Sequence, residues 1–153
     1  MDRSRVFEAD PARLADVRKF IIHCARGGPF ESVLDDLLIA ASEASANAVL
    51  HSGTDEFTVS WHSEGHSVEI TVQDHGLYER GLALPEIDGK AHRGLHLMAR
   101  TMSEISIRRG TRDHPGTKVR MVKVLPRASG RHLHDRQPAE RQSHAAARSA
   151  RRR

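Results

Sequence analysis

The sequence predicts an α+β fold, a two-layer sandwich with helices on one face of a mostly antiparallel sheet. Three observations carry that reading. Two stretches of helical periodicity precede Ser52-Gly53, the apolar period then changes to two across a hairpin, and one further helix is followed by two more alternating runs. A chain of 153 residues fits one domain rather than separate substrate and cofactor lobes.

The elements follow in order. Arg5 to Glu8 adds an edge strand. Asp10-Pro11 opens a helix with a capping acid and a proline at the first helical position. Leu14, Val17, Ile21 and Cys24 recur at helical spacing until Gly27-Gly28-Pro29 stops the pattern. A second start at Pro29-Phe30-Glu31 leads through Leu34, Leu37, Leu38, Ala41, Ala44, Ala48 and Val49 to the break at Ser52-Gly53. Phe57, Val59 and Trp61 then share one strand face, Ser63-Glu64-Gly65 turns the chain, and Val68, Ile70 and Val72 share a face of the next strand. His75 to His92 is rich in turn residues. Arg93 to Met102 reads as a short helix, Ile105 and Ile107 as a third strand, Gly110 to Gly116 as a loop, and Thr117 to Leu125 as a fourth strand. Lys123 breaks the alternation of Val119 and Met121, which predicts a bulge or a strand end near it.

Charge separates a body from a tail. Residues 127 to 153 carry eight Arg against Asp135 and Glu140, a net of +6, whereas residues 1 to 126 carry 16 basic and 18 acidic side chains, a net of −2. The chain therefore divides into a folded domain, 1 to 126, and a basic tail, 127 to 153, with too few large apolar residues to offset its ordering entropy; the tail is expected to be disordered. Cys24 is the only cysteine, which excludes an intrachain disulfide and fits a cytoplasmic protein. No apolar run approaches the ~20 residues of a membrane span, and no signal-peptide core follows Met1-Asp2-Arg3-Ser4-Arg5. A soluble protein without a membrane partner is expected.

Chemistry concentrates in three places. Glu43, Asn47 and His51, spaced four apart on the second helix, form a polar stripe beside its apolar stripe, at the rim of the core; the same spacing also suits a plain solvated face. Asp74 continues the parity of Val68, Ile70 and Val72, so a carboxylate points toward the core at the strand's end and needs partners there. Alternatively it caps the turn at His75-Gly76. Thr117 shares the parity of Val119 and Met121 and hence the face of Asp74, while Gly76 permits a positive φ or the close approach of a ligand. Arg93-Gly94 opens the third helix, leaving first-turn N–H groups for an anion or serving only as punctuation.

Other chemistries are excluded or unsupported. No Gly-Lys-Ser/Thr occurs, which rules out a P-loop, and no Gly-x-Ser-x-Gly elbow supports a Ser-His-Asp hydrolase. The pairs His92 with His96 and His62 with His66 lack further ligands at a zinc spacing. Nucleic acid is an unlikely partner: the Arg-rich tail offers only salt-sensitive, sequence-blind contact, and the acidic body has no aromatic stacking platform.

Taken together, Glu43-x-x-x-Asn47-Ala48-x-x-His51, Asp74-x-Gly76, Arg93-Gly94-Leu95-x-Leu97-Met98 and Gly116-Thr117-Lys118-Val119 resemble the N, G1, G2 and GT boxes of the GHKL (Bergerat-fold) ATPases, over about residues 31 to 125. The Asn-Ala-x-x-His ending and the compact size look most like the bacterial anti-sigma-factor serine/threonine kinases of partner-switching systems. The resemblance implies a Bergerat fold that binds ATP and Mg²⁺. It assigns the adenine amino group to Asp74 with support from Thr117, backbone approach of the base to Gly76, and Mg²⁺ to Asn47. Arg93, Gly94 and Leu95 would surround the phosphates, and Glu43 would act as general base on an incoming hydroxyl. His51 receives no role. The partners implied are a sigma factor, an anti-sigma-factor antagonist and a second copy of the chain. The sequence departs from the family in two places. Leu77-Tyr78-Glu79 follows Gly76 in place of a second glycine, and Ala91-His92 precedes Arg93, with 16 residues separating Gly76 from Arg93. A nucleotide-gated binding module without phosphoryl transfer is therefore the alternative.

Overall fold

Asp10 accepts a hydrogen bond from Ala12 N–H at 2.8 Å, capping a short 3₁₀ turn at Pro11–Arg13 from which helix α1, Leu14–Ala25, continues. A computed structural model describes residues 1–51, 53–76, 91–111 and 115–126 of the chain. The second helical stretch also begins as a 3₁₀ turn, Pro29–Val33, before helix α2, Leu34–His51. That tighter turn delivers Phe30 into the core, where its ring meets Trp61 edge-on at 6.1 Å.

Among the described residues, five strands form one sheet. The edge strand β1 spans Asp2–Glu8, longer than the pattern predicts, because its pairing with β2, Glu56–Glu64, runs from Asp2 opposite His62 to Glu8 opposite Glu56. Strand β3 is Ser67–Asp74, helix α3 is Ala91–Thr101, and strands β4 and β5 are Glu104–Arg109 and Thr117–Val124. The order is β1-β2-β3-β5-β4, and each of the four pairings is antiparallel. The last strand thus inserts between β3 and β4, which leaves β4 at the edge. The tail from residue 127 and the turn-rich stretch 77–90 lie outside the described residues.

Helix α2 packs between α1 and α3 and lies over β3, with smaller contacts to β2 and β5. The core is the helix-facing side of the sheet, where Phe57, Val59, Trp61, Val68, Ile70, Val72 and Met121 meet Val17, Ile21, Leu37, Ala41 and Met98. Small alanines on α2 let that helix approach the sheet closely. Among the described residues, no helix is long and apolar enough to cross a membrane.

Of the two outcomes expected near Lys123, a bulge or a strand end, the structure shows the strand end. The register passes through it unbroken, with Lys123 opposite Val68 and Val124 opposite Ser67, and the strand ends one residue later. Parity is kept because the ammonium is satisfied on the helix side. Nζ donates to Asp36 Oδ2 at 2.7 Å and to the Thr101 carbonyl at the C-terminal end of α3. A cation suits that helix terminus, and the four-carbon stem crosses the apolar layer to reach it.

Candidate functional site

Asp74 ends β3 on the core face, opposite Phe57, and is only 4% exposed. Its Oδ1 accepts the Gly76 N–H at 3.2 Å and the Thr117 N–H at 3.0 Å. The turn-capping role and the inward-facing role are therefore both real and coexist in one side chain. Burial pushes the carboxyl pKa above the ordinary aspartate range, against the opposing pull of the two backbone donors and of nearby His75. Such a carboxyl, held by backbone at the end of a strand, is a fixed acceptor at the edge of the core.

Thr117 reaches Asp74 because of the residue before it. Gly116 has φ of +125°, and a Cβ there would collide with the Asp74 carbonyl oxygen and crowd His75 Cα at 3.1 Å. Gly116 thus lets the end of the β4–β5 loop close onto the end of β3. Gly110 N–H donates to Gly116 O at 2.6 Å and closes the loop from its other side. The Thr117 hydroxyl is buried with no hydrogen-bond partner among the described residues. An unpaired buried hydroxyl costs about 1–3 kcal/mol, so a polar ligand atom would be welcome beside Asp74. The sequence marks Gly116 through the Gly116-Thr117-Lys118-Val119 motif but assigns it no role; the signal for one is a glycine immediately before a strand whose first residue faces the core.

A second group of candidate residues lies between α2 and α3. Gly94 is buried, and a Cβ at this position would fall within contact distance of Glu43 Oε2. Glycine allows α3 to approach α2 with the Glu43 carboxylate lodged against its backbone. Glu43 is half-buried, whereas Asn47, one turn further along the same face, is exposed. Helix α3 begins at Ala91, two residues before the expected start, so Gly94 is its fourth residue, just past the N–H groups that lack an intrahelical acceptor, and its bare backbone meets Glu43 instead. Arg93 and Leu95 belong to this part of α3, and His51 ends α2, but their side chains lie outside the described residues.

The sandwich thus carries an inward carboxylate beside an unpaired hydroxyl at the end of β3 and, between α2 and α3, a glycine fitted against a glutamate. Residues 7–123 match the profile of the histidine kinase-like ATPase domain. The chain belongs to this family. No curated protein matches the chain.

As a histidine kinase-like ATPase domain, the protein is an ATP-binding regulatory ATPase or kinase-like protein on a GHKL-type α+β sandwich. The site's chemistry fits the nucleotide. The Thr117 hydroxyl and the Asp74 carboxyl together offer polar atoms to a purine edge, and the first turn of α3 presents N–H groups to an anion. Mg²⁺ typically takes one or two protein oxygens and completes its shell with phosphate and water. The exposed amide of Asn47 suits that pattern, since its carbonyl oxygen is a neutral donor to a cation one helical turn from Glu43.

Proposed function

We propose that the protein is an anti-sigma factor with serine/threonine kinase activity, phosphorylating an anti-sigma-factor antagonist at the expense of ATP. The observation that carries the nucleotide half of this reading is Asp74, buried at the end of β3 with Oδ1 anchored by Gly76 and Thr117. One carboxylate oxygen is oriented by backbone, which directs the group to accept the exocyclic amino group of adenine. Thr117 Oγ1 supports the same edge, and Gly76 lets the base lie close to the chain.

The catalytic half rests on Glu43 and α3. Glu43 takes the proton from an acceptor hydroxyl as the new oxygen–phosphorus bond forms; the bond from the γ-phosphorus to the bridging oxygen breaks, and ADP leaves. Arg93, Gly94 and Leu95 hold the phosphate chain at the helix start. Mg²⁺, held by Asn47, would supply charge neutralisation between the phosphates. Phosphoryl transfer is chiefly positioning, so a helix start and a glutamate brought together by Gly94 suit it. The test is direct: binding of Mg-ATP by the purified protein, then transfer of labelled phosphate to a protein retained in an ATP-dependent pull-down.

The second reading, a nucleotide-gated module that moves no phosphate, is favoured by the 16 residues between Gly76 and Arg93 and by the missing second glycine after Gly76. Nucleotide-dependent partner capture without label transfer selects it.

A further inference from the structure

A concave surface lies at the strand ends. It is a cleft of about 490 Å³, bordered by Gln73 and His75 of β3 and its turn, Arg108 and Arg109 of β4, and Gly116 and Lys118 at the start of β5. That volume falls within the ~300–1,000 Å³ usual for ligand sites. The cleft touches the nucleotide site through Gly116 and Thr117 but includes none of Asp74, Glu43 and Asn47.

The register explains its charge. Gln73 lies opposite Lys118, and Lys118 lies opposite Arg108, so the three form a row on the sheet face turned away from the helices. Two like charges directly across a strand pair repel. Two residues along β5, the same face solves that problem internally. Arg120 donates through Nε to Glu69 Oε2 at 2.7 Å and through Nη1 to Glu104 Oε1 at 2.7 Å. Among the described residues no such carboxylate is found at the cleft: none of its lining residues is acidic, and neither Arg108 nor Lys118 has an ion pair. The sheet thus leaves a pair of exposed cations facing a cavity, where an incoming anion relieves their repulsion.

We infer that this cleft binds an acidic peptide segment of a partner protein, with carboxylates seated between Arg108 and Lys118 and a hydrogen bond from the Gln73 amide. Nucleic acid fits less well, because no Phe, Tyr or Trp ring lines the cleft for a base to stack on and residues 1 to 126 carry a net charge of −2. A lone inorganic anion would leave most of the volume empty.

The test uses full-length ¹⁵N-labelled protein titrated with a hexaglutamate peptide at low salt. Saturable shifts are expected at the amides of Gly110, Gly116 and Lys118, with affinity falling as salt rises. R108E/K118E is expected to weaken the binding by ~10-fold or more, a change of about 1.4 kcal/mol per decade, and R108Q/K118Q by less. R18E, a charge reversal on exposed α1, is expected to leave it unchanged. Shifts confined to the Arg-rich tail, or equal affinity in wild type and R108E/K118E, would overturn the inference. So would displacement of the peptide by equimolar inorganic phosphate, which would mark a generic anion site, or tighter binding of oligothymidylate at the same amides.

Discussion

Glu43 Oε2 occupies the space that a side chain at position 94 would need, so the glutamate of α2 and the glycine of α3 are fitted to one another. The obstructing atom is the far end of a flexible side chain, not backbone. Alanine at 94 should therefore displace the carboxylate rather than break the fold. G94A is expected to leave stability unchanged or to raise it by up to ~1 kcal/mol, since alanine favours helix over glycine. Label transfer is expected to fall sharply. Thermal melting alongside a transfer assay separates the two effects, and a G94A protein that transfers at the wild-type rate removes Glu43 from the chemistry.

Gly116 gives the opposite outcome. Its φ of +125° is strained for any other residue, and a Cβ would strike the Asp74 main chain, which cannot yield as a side-chain tip can. G116A is expected to cost about 3 kcal/mol and to weaken ATP binding, because the Thr117 N–H is pulled from Asp74. Urea denaturation and nucleotide titration measure both.

Asp74 links pH to stability. Burial raises its pKa in the folded state, so the folded protein holds that proton more tightly than the unfolded chain does. The stabilisation is fully present below the unfolded pKa and is lost as pH rises through the raised folded value. D74N carries no charge to bury, and its side-chain oxygen still accepts the Gly76 and Thr117 N–H groups. It is expected to match or exceed the wild type in stability at neutral pH, with the difference shrinking on acidification. ATP binding is expected to weaken by about 1–3 kcal/mol, since the amide also presents a donor to the adenine amino group. Equal affinity in wild type and D74N would remove the adenine assignment.

E43A tests the base without touching the adenine pocket. ATP affinity is expected to stay within about threefold while transfer falls ~10²–10⁴-fold, the usual worth of a positioned base. Isothermal titration and single-turnover labelling report the two quantities separately.

Lys123 joins three elements through Asp36 and the Thr101 carbonyl and is mostly buried, with 18% of its side chain exposed. K123M keeps the stem but removes the charge, leaving a helix end and a carboxylate unpaired. A loss of about 1–2 kcal/mol is expected, limited because Asp36 is itself partly solvated. Chemical denaturation of wild type and variant gives the number.

Much was legible in the chain because it is local. The change from helical to alternating period after Ser52-Gly53 located α2 and the β2–β3 hairpin, and parity alone turned Asp74 and Thr117 toward the core. An apolar face must be buried whatever its neighbours are, so periodicity reports on each element separately. Other features depended on residues far apart in sequence: β5 inserting beside β3, Lys123 reaching Asp36, Gly116 closing on Asp74, and Gly94 accommodating Glu43. These are decided by packing and by the backbone's need for hydrogen-bond partners, and neither is set until the whole sheet and its helices are assembled.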